Sequence, residues 1–203
     1  MKRVLVVDSG TGNLRSVEKA LAHAGATVTV SSDADLVARA ERVVVPGQGA
    51  FADCMAGLAR GGVADAVRAA VARGVPYLGL CLGLQVLFEE SEEHGPVRGL
   101  GLLRGRVVRF PDDARDAAGA RVKVPHMGWN QVVGGDPVAA PGWYYFVHSY
   151  YAVPAEPVTV LTTEYAGVQV CAAVRKDNLL ATQFHPEKSQ ATGLALLARF
   201  LAS

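Results

Sequence analysis

The residues with the clearest chemical meaning are a cysteine and the glycines that flank it. The segment Gly79-Leu80-Cys81-Leu82-Gly83 follows an apolar run. Glycines at these positions let a buried strand turn sharply into a helix, because side chains there would clash. The turn places the sulfur of Cys81 at a helix N-terminus, where the helix dipole favours a thiolate. This nucleophile turn, residues 79–83, indicates a reactive cysteine; a small buried cysteine between closely packed glycines is the alternative.

A thiol nucleophile needs a base, and the base needs a group that orients it. His185 directly follows the apolar run 179–184, and Pro186 separates it from Glu187. Residues i and i+2 of an extended chain project to the same side, so a hydrogen bond between His185 and Glu187 is sterically easy. We predict that this pair activates Cys81. An ordinary solvated histidine and glutamate at a strand end is the alternative, because spacing alone does not bring His185 to Cys81.

A glycine loop follows another apolar run. Residues 43–45 lead into Pro46-Gly47-Gln48-Gly49. Glycine lets backbone N–H groups approach a ligand closely, and acyl transfer needs such donors at the oxyanion, each worth about 3–4 kcal/mol. We expect one donor from Gly49 or its neighbour Gly47, and another from the N–H of Leu82, just after the nucleophile. A simple turn is the alternative, and no Walker pattern supports a phosphate loop.

Composition limits the partners and the compartment. The chain has 203 residues, 50% of them hydrophobic, with 20 basic and 19 acidic residues. These values fit one domain, 1–203, with a sizeable core, and they give no electrostatic reason to expect nucleic acid or a membrane surface. Three scattered cysteines suit a reducing, cytoplasmic compartment. The histidines lack the close spacing of a zinc site, so neither a metal nor a cofactor is expected.

The first half of the chain alternates strands with helices. Runs that are apolar throughout, such as 4–7 and 43–45, are typical of parallel strands buried on both faces. With helices between them, they predict a doubly wound, mainly parallel α/β sheet flanked by helices. The predicted strands are 3–7, 26–30, 42–45 and 75–80, and the predicted helices are 13–24, 62–73 and 82–90.

The second half predicts strands joined by short turns, such as Gly134-Gly135-Asp136. This pattern indicates an antiparallel extension of the parallel sheet. Residues 111–121 are expected to form an exposed loop. Residues 189–201 are expected to form a closing helix with Ser189 as its N-cap. The predicted strands are 107–108, 129–133, 143–147, 158–163, 168–174 and 179–184.

The nucleophile turn, the glycine loop and His185-Pro186-Glu187 together resemble a class I glutamine amidotransferase domain over nearly the whole chain. The resemblance implies that Cys81 attacks the side-chain amide of L-glutamine, that His185 protonates the departing ammonia, and that water hydrolyses the thioester. It also implies that Gln85 and the backbone around Ser149 and Tyr150 hold the α-amino and α-carboxylate groups of glutamine.

Further motifs resemble the glutaminase subunits of imidazole glycerol phosphate synthases. They are residues 8–16, 125–130, 145–150 and 185–189, with Ser9 where that family usually has tyrosine. The resemblance implies a heterodimer with a cyclase subunit that has a β/α barrel, and a channel that carries ammonia to it. The cyclase then makes imidazole glycerol phosphate and an aminoimidazole carboxamide ribotide in histidine biosynthesis.

Four motif residues have no evident catalytic duty and are expected at the partner interface: Asn13, His126, Trp129 and Lys188. Core packing is the alternative for Trp129. A further hypothesis is that the glycine loop stays misaligned until the partner is occupied. Three other functions remain open: an amidotransferase subunit of another synthase, a non-catalytic regulatory subunit of the same fold, and a stand-alone cysteine hydrolase.

Overall fold

The computed structural model of the chain describes residues 2–116 and 118–203. Over these residues the chain forms a nine-stranded sheet, a four-stranded sheet and six α-helices. The strands are β1 (Lys2–Val7), β2 (Ala26–Ser31), β3 (Val43–Gly47), β4 (Tyr77–Cys81), β5 (Glu90–Ser91), β6 (Val97–Arg98), β7 (Gly105–Arg109), β8 (His126–Gly134), β9 (Gly142–His148), β10 (Tyr150–Pro154), β11 (Thr159–Tyr165), β12 (Val168–Lys176) and β13 (Leu179–Thr182). The helices are α1 (Leu14–His23), α2 (Ala34–Ala38), α3 (Phe51–Ala59), α4 (Val63–Ala72), α5 (Leu82–Gln85) and α6 (Gln190–Ala202).

The large sheet has two halves. Its strand order is β2-β1-β3-β4-β13-β12-β11-β8-β9. Neighbours from β2 to β13 are parallel, and neighbours from β13 to β9 are antiparallel. The predicted doubly wound sheet with an antiparallel extension is therefore confirmed. One strand differs: residues 179–184 were predicted in the extension, but β13 pairs with β4 in parallel.

Alternate residues of the central strands face two separate cores. In β3, Val43 and Val45 pack into one hydrophobic cluster with α3 and α4. Val44 packs into the other, with α1 and α6. Burial on both faces explains why β3 is apolar throughout.

The carboxyl ends of three neighbouring parallel strands meet at one edge of the large sheet. Gly47 at the end of β3 pairs with Cys81 at the end of β4. Thr182 at the end of β13 pairs with Leu80, and His185 follows shortly after. Open α/β sheets bind ligands at this edge, so the topology brings the glycine loop, the nucleophile turn and His185 together.

The prediction of a helix over 82–90 is wrong beyond Gln85, where α5 ends. The N–H groups of Leu100, Leu102 and Leu103 donate to carbonyl groups of Val86 and Leu87. These long-range bonds satisfy carbonyls that a continuing helix would have used, so tertiary contacts override the local helical pattern.

Ser189 is the residue immediately before α6, but its side chain makes no capping hydrogen bond. Its hydroxyl instead donates to the carbonyl of His185 at 2.7 Å and accepts from the N–H of Tyr145 at 3.0 Å. Ser189 is thus the N-cap residue of α6, as predicted, but its side chain holds the His185 segment against β9 instead of capping the helix.

Five elements of the structure were not predicted from the sequence: α2, α3, β5, β6 and β10. The described residues of the predicted loop 111–121 are mostly exposed, although Ala114 is buried; Ala117 lies outside the described residues. Among the described residues, no helix is both long and apolar enough to cross a lipid bilayer.

Candidate active site

The nucleophile turn has an unusual backbone conformation at its centre. Cys81 has φ +54° and ψ −102°, which non-glycine residues seldom adopt. A Cβ atom at Gly79 would lie 2.3 Å from the carbonyl oxygen of Gly83, and one at Gly83 would lie 1.7 Å from that of Val45. Both positions therefore require glycine, which explains the spacing in the sequence.

The base and its orienting carboxylate are both buried. His185 Nδ1 lies 2.8 Å from Glu187 Oε1, and each side chain is only 2% exposed. Burial alone lowers the pKa of His185, but the negative charges of Cys81 and Glu187 outweigh it and raise that pKa to about 10. Among the described residues His185 Nε2 makes no hydrogen bond of normal geometry, although His185 interacts with Cys81. That atom is therefore available to exchange a proton with the sulfur or with a bound substrate.

An open cavity of about 350 Å³ borders the sulfur of Cys81. This size suits a small molecule such as an amino acid. Its wall consists of Gln48, Gly49, Cys81, Leu82, Gln85, Glu93, Pro125, Val147, His148, Ser149, Tyr150 and Lys188.

The two glycines of the glycine loop lie in different surroundings. Gly49 has φ +98° and lies in the cavity wall with Leu82. Gly47 is buried beside the nucleophile turn, and a Cβ atom on it would lie 2.6 Å from Leu82 Cβ. Gly47 thus packs against the turn and lines a small recess with Asn13 and Glu187 instead of the cavity.

Gln85 is a buried side chain whose two amide hydrogens are both used. Its Nε2 atom donates to the carbonyl of Tyr150 at 2.9 Å and to Gln183 Oε1 at 3.0 Å. Gln183 in turn places its Nε2 atom 3.5 Å from Cys81 Sγ. Sequence reasoning missed Gln183, although a single glutamine in the apolar run 179–184 was a signal.

Glu93 is a second cavity residue that sequence reasoning missed. Its carboxylate accepts a hydrogen bond from the N–H of Phe51 at the start of α3, at 2.6 Å. It lies in an acidic run, 89–93, that carries no recognisable spacing. The fold alone brings this negative charge to the cavity.

His126 is buried, which corrects the expectation that it lies at a partner surface. Its Nδ1 atom lies 3.0 Å from Nε2 of His148, and Nδ1 of His148 lies 2.8 Å from the carbonyl oxygen of Tyr150. Asn130 Nδ2 lies 3.2 Å from Nε2 of His126. A carbonyl oxygen only accepts, so His148 Nδ1 donates, and a directed chain of hydrogen bonds runs from Asn130 to Tyr150.

This histidine pair predicts acid sensitivity of the fold. Burial lowers the pKa of His126 to about 4, and burial together with His126 lowers that of His148 to about 3. In the unfolded chain both pKa values are about 6.5, so below that pH the unfolded state binds more protons and the free energy of unfolding falls. The raised pKa of His185 makes the free energy of unfolding depend on pH in the alkaline range instead.

We therefore expect the melting temperature to fall by several degrees, about 2–4 °C per kcal/mol, between pH 6.5 and pH 5. Thermal unfolding monitored by circular dichroism measures this. The variant His148→Gln removes one titrating group and should show a shallower decrease. A melting temperature that is constant over this range, or an unchanged decrease in His148→Gln, would contradict the assignment.

The remaining predicted site residues lie around the cavity and on the adjoining surface. Ser149 and Tyr150 line the cavity. Lys188 also lines it, with its Nζ atom 5.8 Å from the ring centre of Tyr145. Trp129 is 45% exposed, so it is not a core residue. Among the described residues no cluster of three or more His, Cys, Asp or Glu side chains could hold a metal ion.

The fold and this cysteine site define a class of enzyme. The sequence pattern of the family described as "Glutamine amidotransferase class-I" matches residues 5–203, so the chain belongs to this family of enzymes. Within it, the chain is similar to "Imidazole glycerol phosphate synthase subunit HisH" of Methylococcus capsulatus, with 52% identity covering 99% of the chain and 96% of the relative. The subunit of the same name from Geobacillus thermodenitrificans is 50% identical, with coverage of 99% and 96%.

Solved structures show the same fold. A structure described as "Crystal structure of glutamine amidotransferase" superposes with a TM-score of 0.76 at 19% identity, covering 98% of this chain and 99% of the other. "Structure of PurLQS from Thermotoga maritima" also gives a TM-score of 0.76 at 19% identity, with coverage of 99% and 97%. At this identity the likeness concerns the fold alone.

Proposed function

We propose that the chain is the glutaminase subunit of an imidazole glycerol phosphate synthase. It hydrolyses L-glutamine and passes ammonia to a cyclase subunit with a β/α barrel, which makes imidazole glycerol phosphate and an aminoimidazole carboxamide ribotide in histidine biosynthesis. The observation that carries the proposal is the strained Cys81, which interacts with the buried His185 of the His185–Glu187 pair and lines a cavity of about 350 Å³.

The chemistry follows from these positions. The Cys81 thiolate attacks the carbon of the glutamine side-chain amide, and the N–H of Leu82 and a donor at Gly49 stabilise the oxyanion. His185 then protonates the nitrogen as the C–N bond breaks and ammonia leaves. The same imidazole accepts a proton from the water that hydrolyses the thioester. Glu187 holds the tautomer of His185, because its carboxylate accepts from Nδ1.

The cavity wall supports a revised assignment of substrate contacts. Both amide hydrogens of Gln85 are used inside the protein, and the Tyr150 carbonyl already accepts from Gln85 and His148. Gln85 therefore acts by fixing the backbone at Tyr150. The carboxylate of Glu93 is placed to receive the α-ammonium group of glutamine, and Ser149 remains available for the α-carboxylate.

An apolar surface adjoins the cavity. We call it the β8–β9 face: Met127 and Trp129 of β8 and Trp143 of β9 are 62%, 45% and 56% exposed. Met127 pairs with Val147, which lines the cavity. Large exposed apolar side chains close together are typical of a protein interface. This face, with Lys188 and the exposed Asn13 nearby, is our candidate for docking the cyclase.

The docking assignment predicts the effect of one substitution. Trp129→Ala should weaken binding to the barrel subunit by at least about tenfold, because exposed tryptophans in interfaces often act as hot spots. Leu36→Ala is the matched control, since Leu36 is 38% exposed on α2. Calorimetric titration with the purified barrel subunit measures both.

Glutaminase assays with and without the barrel subunit test the whole proposal. We expect little activity from the isolated chain and strong stimulation by the barrel subunit and its own ligand. Full activity without a partner would instead indicate a stand-alone hydrolase.

In the binding experiment, equal affinity of Trp129→Ala and Leu36→Ala for the barrel subunit would exclude the β8–β9 face as the docking site.

A further inference from the structure

The side chain of Gln183 lies against the reacting sulfur and has no role in the mechanism described so far. Gln183 directly follows β13 and is fully buried. Its backbone N–H donates to the carbonyl of Ala172 at 2.8 Å, which anchors it to β12. Its Nε2 atom lies 3.5 Å from Cys81 Sγ. A buried amide in contact with a nucleophile affects the charge that the nucleophile can carry.

The orientation of this amide is determined by its neighbours. The carbonyl oxygen of Tyr150 only accepts, so the Gln85 amide turns its NH₂ group toward it at 2.9 Å. The second hydrogen of that NH₂ group reaches Gln183 Oε1 at 3.0 Å. Gln183 must therefore present its oxygen to Gln85 and its NH₂ group to the sulfur. The opposite orientation would place two NH₂ groups against each other.

The sulfur has a second polar contact that acts in the opposite sense. The carbonyl oxygen of Val147 lies 3.9 Å from Cys81 Sγ and interacts favourably only with the protonated thiol. The N–H of Gln183 interacts most favourably with the thiolate, because hydrogen bonds to charged acceptors are stronger. The two contacts therefore favour different protonation states, and the N–H of Gln183 opposes the effect of the Val147 carbonyl.

We propose that Gln183 is a further catalytic residue, which donates a hydrogen bond to the sulfur of Cys81 whenever that sulfur is negative. It stabilises the thiolate before attack. It does so again when the C–S bond of the thioester breaks and the electron pair returns to sulfur. In the thioester itself the sulfur is neutral and accepts the bond only weakly. The inference rests on the proposed role of Cys81.

Other ionisable groups also act on this sulfur. His185 and Cys54 interact with it electrostatically, and Glu187 acts through His185. The cavity wall adds Glu93, His148, Tyr150 and Lys188. Because several groups act on the sulfur, a variant is compared with the unsubstituted protein through the midpoint of one pH profile.

The test is the pH dependence of iodoacetamide alkylation at Cys81, followed by mass spectrometry of the Cys81 peptide. Burial raises the pKa of Cys54, and raises that of Cys171 to about 11, so these thiols react slowly. Gln183→Glu keeps an acceptor for Gln85 but has no N–H for the sulfur. Gln183→Met removes the N–H without adding charge. We expect both to raise the midpoint by about one pH unit, or about tenfold in the thiol–thiolate equilibrium.

Enzyme kinetics with the partner subunit supply a second readout. In Gln183→Glu we expect kcat to fall about tenfold, whereas KM changes by less than about twofold, because the Gln85–Tyr150 contact remains. Thr182→Val is the matched control. Thr182 precedes Gln183 in the chain and is also buried, and its hydroxyl donates to the carbonyl of Phe184 at 3.0 Å, not to the sulfur. It should lower the melting temperature without moving the midpoint.

Two results would overturn the proposal: an unchanged midpoint in either folded variant, or an equal shift in Thr182→Val. If neither variant folds, the unsubstituted protein still decides the question. The side-chain ¹⁵N amide resonance of Gln183 should then shift as Cys81 titrates, and no shift would overturn the proposal. Alkylation is measured without glutamine, so failure here is distinct from loss of the glutaminase function, which is detected by glutamate release.

Discussion

Replacing Cys81 with alanine should lower the rate of glutamine hydrolysis by at least ~10⁴-fold in the complex with the partner subunit. Loss of a nucleophile leaves only the contributions of binding and of the oxyanion donors. The fold should persist, because the side chain is small and the strained backbone is set by the flanking strand and helix. Glutamate release and the melting temperature measure the two effects separately.

Cys171→Ala is the control for this experiment. Cys171 is a buried cysteine in β12 and does not line the cavity. We expect its kcat to remain within about twofold of the unsubstituted protein. Activity that survives in Cys81→Ala would show that another residue, or water alone, attacks the amide.

Gly83→Ala should destabilise the whole domain. The new Cβ atom would lie 1.7 Å from the carbonyl oxygen of Val45. That oxygen cannot retreat, because β3 pairs with β1 on one side and with β4 on the other. The Tyr77 hydroxyl also donates to the Gly83 carbonyl at 2.7 Å, which holds the backbone of the turn in place. Overpacking of this kind costs about 3 kcal/mol or more.

This cost corresponds to a melting temperature lower by about 6–12 °C, or to failure to fold. The control is Gly135→Ala, because a Cβ atom there meets no other atom within 4 Å. Its melting temperature should stay within about 2 °C of the original. If Gly83→Ala were as stable as Gly135→Ala, the close approach of the turn to β3 would be wrong.

The sequence allowed prediction of those parts of the site that local pattern encodes. The nucleophile turn depends on steric needs of two glycines within five residues, so its spacing is visible in the sequence. The parallel half of the sheet was also predictable, because strands buried on both faces are apolar throughout. The doubly wound topology then requires the ends of β3 and β4 to meet. The place of β13 beside β4 was not predicted, because residues 179–184 were assigned to the antiparallel extension, whereas β13 runs parallel to β4.

The remainder of the site depends on contacts between distant parts of the chain. Gln183 lies 102 residues from Cys81 along the chain and 98 from Gln85, and no local pattern links them. His126 lies within a motif, yet stacking between Phe146 and Tyr165 buries it. The helix prediction failed after Gln85 because residues 100–103 take the carbonyl groups of that segment.

The hydrogen bonds also explain why the β8–β9 face and the site are connected. Asn130, on the strand that carries Trp129, begins the chain through His126 and His148 to the Tyr150 carbonyl. Gln85 and Gln183 continue from that carbonyl to the sulfur. The backbone position of Tyr150 is thus shared by the face proposed for the partner and by the nucleophile.

The most direct test of the proposed chemistry is detection of the covalent intermediate. The complex with the partner subunit is mixed with glutamine, quenched in acid within one turnover, and digested for mass spectrometry. A glutamyl thioester on the peptide that contains Cys81 is the expected result, with none on the peptides of Cys54 or Cys171. Rapid formation of glutamate with no adduct on Cys81 would contradict the assignment of Cys81 as the nucleophile.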